Sequence, residues 1–88
     1  MNLKSEEILR ITQEESAEVI QAISKIFRFG LNNYKPGQQK TNKEHLEEEL
    51  GDLLAMVELI TENGIVSVGN MEKAKIAKFE KLKKWSNI

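Results

Sequence analysis

Cysteine is absent from this 88-residue chain, and histidine occurs once, as His45. Without thiols there is no disulfide framework, no cysteine-based zinc site and no thiol nucleophile, which agrees with a reducing, cytoplasmic setting. Proline also occurs once, at Pro36, so no other position forces a break in a helix. No apolar run approaches the roughly 18 residues of a membrane span, and the opening MNLKSEEILR lacks the apolar core of a secretory signal. Nor is either charge in surplus. Thirteen Lys and Arg stand against 14 Asp and Glu, a net charge of −1, which argues against a nucleic-acid polymer as partner. A chain this short buries only roughly 60 to 65% of the surface its unfolded form exposes, so a single 1–88 domain is expected to complete its thin core by homo-oligomerisation.

What is present is helical periodicity. Ile8, Ile11, Val19, Ala22, Ile26 and Phe29 recur at helical spacing, predicting a first helix over residues 5–29 that ends at Gly30. Residues 31–40, LNNYKPGQQK, carry the Pro36-Gly37 turn signal and no period, and read as a loop. Thr41 and Glu44 have the spacing of a capping box, with Asn42 as a competing N-cap, and predict a second helix running to about Asn63 and stopped by Gly64. IVSVG at 65–69 is an apolar connector, and a third helix is expected over residues 71–85. The fold class is all-α: a small antiparallel bundle of three main helices.

The charges on these helices are not where solvation would put them. Each helical residue advances about 100° around the axis. With Glu15 at zero, the apolar residues of the first helix fall within about 40° on either side and Glu18 about 60° away. With Glu49 at zero, Leu53, Met56 and Ile60 lie within about 40° and Asp52 about 60° away. Glu47, Glu58 and Glu62 occupy the polar back of that helix, as ordinary solvated charges do. Glu15, Glu18, Glu49 and Asp52 instead point toward the core, where unpaired carboxylates cost several kcal/mol each, so they need protons or a cation. Oxygen donors alone select a hard cation, Mg²⁺ or Mn²⁺. A di-iron bundle would want Glu-x-x-His on two helices, and His45 does not follow a glutamate by three. The segments EESAE at 14–18 and EELGD at 48–52 repeat one pattern, Glu-Glu-x-x-acid.

The third helix carries six lysines, of which Lys75 and Lys78 share the face of Met71, Leu82 and Trp85. Lysine stems covering apolar surface are one explanation. Contact with a polyphosphate held beside the acids is the other, with Lys25 on the first helix a third candidate. Phe27, Phe29 and Trp85 suit either core packing or stacking on a base.

Glu14-Glu15-x-x-Glu18 followed on the next helix by Glu49-x-x-Asp52 resembles the signature of the MazG-like, all-α nucleoside triphosphate pyrophosphohydrolases, and the likeness extends through SAEVIQAISKIFRFG, EELGDLLAMVELI and the Lys-rich ending. The interval between the two motifs is wider than is usual for the family, which implies an extended loop around Pro36-Gly37. The resemblance implies hydrolysis of a nucleoside triphosphate to monophosphate and pyrophosphate, with Glu15, Glu18, Glu49 and Asp52 as Mg²⁺ ligands. Glu14 and Glu15 are then the catalytic candidates, Glu14 orienting the attacking water, and Lys25, Lys75 and Lys78 the phosphate contacts. It also implies a homodimer or homotetramer. The rival reading is a non-enzymatic helical interaction module whose acids hold a structural cation.

Overall fold

The computed structural model describes residues 1–34 and 36–88; Lys35, within the expected loop, lies outside them. Three helices follow one another: α1 (Leu3–Phe29), α2 (Asn42–Glu62) and α3 (Val68–Trp85). The all-α class and the helix count are as the periodicity predicts. α1 begins two residues earlier than expected because Asn2 caps it, its side-chain oxygen accepting from Ser5 N at 2.7 Å. α3 begins three residues early for the same kind of reason: the Ser67 hydroxyl accepts from Asn70 N, so the helix starts inside the apolar connector.

α1 and α2 form an antiparallel pair. At one end Ile8 packs with Met56 and Ile60, flanked by Leu9, Ile11 and Ile65; at the other, Gly30 meets Asn42. The capping box at the start of α2 is complete, with the Thr41 hydroxyl accepting from Glu44 N and the Glu44 carboxylate accepting from Thr41 N. Asn42 is not the cap. It is 1% exposed and ties the loop to the helix: its N–H donates to Asn33 O, its Nδ2 to Gly30 O, and its Oδ1 accepts from Gln38 Nε2. Lys43 N donates to Leu31 O, so two N–H groups that a helix start leaves without intrahelical partners are satisfied by the loop's own carbonyls. α2 ends at Glu62, and the chain turns away at Gly64, whose φ of +66° few side-chain-bearing residues adopt. Gly64 N donates to Thr61 O and Ile65 N to Ile60 O, and this closure folds Ile65 back onto the core.

α3 does not close the bundle within the chain. It packs against neither α1 nor α2 to any extent and contains no buried residue. Ile76, Phe79 and Trp85 are exposed, Trp85 at 82%, and the molecule is a slab of 42 × 38 × 14 Å. Among the described residues, no helix is long and apolar enough to cross a membrane.

Candidate metal centre

The half-buried and buried residues of α1 include Ile8, Ile11, Val19, Ala22, Ile26 and Phe29, and Glu15 lies among them. On α2 the corresponding stripe includes Leu53, Met56 and Ile60, with Glu49 in it at 9% exposure. Because the two stripes face each other, the carboxylates they carry are forced together. One oxygen each from Glu15, Glu49 and Asp52 lies within 4.8 Å of the others. Asp52 is exposed and sits at the edge of the group, one turn along from Glu49.

The group has no direct lysine or arginine partner among the described residues; His45 Nε2 lies 3.3 Å from Glu49 Oε1, and Lys40, paired with Glu48, feels the charge of Asp52 only at longer range. Burial pushes the Glu15 carboxyl above its ordinary value, and the charges of Asp52, Glu49, Glu18 and Glu14 push it the same way. Three carboxylate oxygens at mutual distances that repel when ionised, with no nitrogen or sulfur donor in the set, match what a hard divalent cation requires.

Of the remaining candidates, Glu18 is exposed and outside the convergent set, though its charge still reaches Glu15. Glu14 is exposed on the adjoining flank and Lys25 is half-buried. Lys75 and Lys78 are exposed on α3, and because α3 does not pack on the pair, a single chain does not hold them against the acids; Lys75 instead pairs with Glu72 at 3.5 Å. Phe27 belongs neither to the core nor to the acid face, being 85% exposed, whereas Phe29 is half-buried beneath the Arg28 guanidinium at 5.4 Å.

The helical wheel already puts His45 on the inward side of the first turn of α2, as either a structural or a near-site residue, and the structure sets it beside Glu49, four residues on. One feature was missed by sequence reasoning. A cavity of about 360 Å³ lined by Gln38, Gln39, Lys40, His45 and Glu48 depends on how the loop is tied down, and no local pattern announces it.

The family described as MazG nucleotide pyrophosphohydrolase domain matches residues 3–85, nearly the whole chain. No curated protein and no solved structure gives a match.

Proposed function

Starting from the chain's membership of the MazG nucleotide pyrophosphohydrolase family, we propose that it is a Mg²⁺-dependent nucleoside triphosphate pyrophosphohydrolase, converting an NTP or dNTP to the monophosphate and pyrophosphate. The observation that carries this reading is the convergence of Glu15, Glu49 and Asp52 at the α1–α2 interface with no lysine or arginine among the described residues paired directly with them. Mg²⁺, or Mn²⁺ in its place, would be held by these three, with Glu18, on the next turn of α1, as the fourth ligand. A cation bound there supplies Lewis acidity and neutralises triphosphate charge.

The chain's own residues do the rest. The ionised carboxylates fix the site on two rigid helices rather than on loops, so the α-phosphorus is presented in one orientation. Glu14, beside Glu15 on the open flank, accepts a hydrogen bond from the attacking water and aims it at the α-phosphorus. The water oxygen adds to phosphorus and gives up a proton to solvent, the bond to the bridging oxygen breaks, and pyrophosphate leaves with that oxygen and its electron pair. Lys25 contacts the outgoing phosphates.

Lys75 and Lys78 act in an assembly of identical chains. α2 carries seven acidic residues against Lys43, whereas α3 carries six lysines against Glu72 and Glu80. α3 also exposes Ile76, Phe79 and Trp85. Opposite charge and unburied apolar surface make α3 of one copy suited to the open α1–α2 face of another, giving a homodimer or homotetramer.

The test is to incubate the purified protein with each ribo- and deoxynucleoside triphosphate and Mg²⁺ and to resolve the products by chromatography. Pyrophosphate release that disappears in Glu15→Gln and Glu49→Gln, with helicity retained, supports the reading. Stabilisation by Mg²⁺ without turnover of any triphosphate would instead identify a structural cation site in an interaction module.

A further inference from the structure

Beside the carboxylates lies a second built feature, the cavity of about 360 Å³ between the α1–α2 loop and the first turns of α2. The wall formed by Gln38 is tied down before any ligand arrives. Gln38 Nε2 donates to Lys40 O at 2.8 Å and to Asn42 Oδ1 at 3.2 Å, and Asn42 is itself buried and bonded to Gly30 O. A wall that is already tied down loses little freedom on binding.

The cavity's position relative to the acids is set by α2. His45 and Glu48 line it, Glu48 adjoins Glu49, and His45 Nε2 reaches Glu49 Oε1 at 3.3 Å. One turn of helix, about 6 Å of rise over four residues, separates the cavity wall from the carboxylate group. Its chemistry does not suit phosphate. The one cation, Lys40, is paired with the Glu48 carboxylate, which holds the lysine above and the glutamate below their ordinary values, and further acids lie close by. What remains is polar: two carboxamides and an imidazole.

The orientation of the Gln38 carboxamide follows from backbone atoms. Gly30 O can only accept, so Asn42 presents Nδ2 to it and leaves Oδ1 as acceptor. Lys40 O can also only accept, so Gln38 gives Nε2 to both. Gln38 Oε1 is thereby the atom left to meet a ligand, and it accepts a hydrogen bond and cannot donate one. Gln39 adds a second carboxamide, and the His45 ring offers a flat surface of the kind on which bases stack.

We infer that this cavity receives the nucleobase of the substrate and that Gln38 Oε1 accepts a hydrogen bond from an N–H of that base. The inference rests on the reading of the chain as a nucleoside triphosphate hydrolase, which places a ribose's length between the reacting phosphorus and the base.

Two measurements test it. The first compares kcat/KM for the ATP, CTP, UTP and dTTP series, and for inorganic tripolyphosphate, which has no base, in wild type, Gln38→Lys and Gln39→Ala. Gln38→Lys keeps a donor toward Lys40 O and Asn42 Oδ1 while removing the acceptor. The expected result is a preference for nucleoside triphosphates over tripolyphosphate in wild type that shrinks about tenfold in Gln38→Lys, the worth of one hydrogen bond. The second titrates wild type with millimolar adenosine, cytidine, uridine and thymidine, free of phosphate and metal, and with ribose as the base-free control, and follows the side-chain amide resonances of Gln38 and Gln39, expected to move with the nucleosides and not with ribose. Hydrolysis with the ratio of nucleotide to tripolyphosphate unchanged in both variants overturns the cavity assignment and leaves the pyrophosphohydrolase intact. Absence of hydrolysis with Gln38 and Gln39 still responding to nucleosides sinks the activity and keeps the cavity. Silence in both sinks both.

Discussion

His45 Nε2 lies 3.3 Å from Glu49 Oε1, and His45 Nδ1 is buried with no hydrogen-bond partner among the described residues. The edge of the imidazole rests against the Glu49 carboxylate, one helical turn along the same face of α2. His45 thus holds the rotamer of Glu49 from outside the carboxylate group and joins that group to the loop cavity. Removing this support through His45→Ala is expected to weaken Mg²⁺ binding about tenfold, the effect typical of losing a group that orients a ligand. The shift of melting temperature against Mg²⁺ concentration measures it, and an unchanged midpoint would make the contact incidental.

Glu15→Gln should have opposite effects with and without metal. The folded-state value of Glu15 is raised, so the ionised side chain opposes folding at neutral pH. Its favourable contribution is fully present below the unfolded-state value near 4.5 and is lost as pH rises through the higher folded value. The metal-free variant should therefore melt above wild type at pH 7, with the gap closing as the pH falls toward 4.5, while the stabilisation by Mg²⁺ is lost. A metal-free variant less stable than wild type at pH 7 would contradict the crowding of charge.

Glu44 titrates in the other direction. Bonds from Thr41 hold its carboxyl below the ordinary 4.5, so its contribution is present above that value and is lost as pH falls through the lowered folded value. The stability gap between wild type and Glu44→Ala should be constant near neutrality and narrow in acid. Thr41→Ala, which removes the other half of the capping box, should cost about 1 kcal/mol by denaturant unfolding.

Asn42→Ala should cost about 2 kcal/mol, because it strands the Gly30 carbonyl and one donor contact of Gln38 inside the loop junction. Ile8→Ala should cost about 3 kcal/mol, since Met56 and Ile60 are the buried residues that pack with it and have little beside them with which to fill the gap. Chemical denaturation reads both; a loss under 0.5 kcal/mol at Ile8 would show that the pair is not held by this cluster.

Association through α3 predicts that light scattering on the purified chain gives a mass of two or four copies of 10.1 kDa. Glu in place of both Phe79 and Trp85 should shift the population toward the single chain. A monomeric wild type would leave α3 without the proposed cover.

Sequence alone determined a great deal here. Helices α1 and α2 follow from period 3.6, from Gly30 and Gly64 and from the Thr41–Glu44 box, all local signals carried within a few residues. The inward direction of Glu15 and Glu49 follows from the same period, because a helix fixes the angle between any two of its side chains. What the helical wheel does not contain is which positions on two helices come level. Only the packing of Ile8 on Met56 and Ile60 at one end and of Gly30 on Asn42 at the other sets that register, and the register places Asp52 within reach of Glu15 while leaving Glu18 outside. The departure of α3 from the pair was equally out of reach. Its amphipathic pattern states that one face seeks cover, and an apolar face carries no record of whether the surface it covers belongs to its own chain or to another.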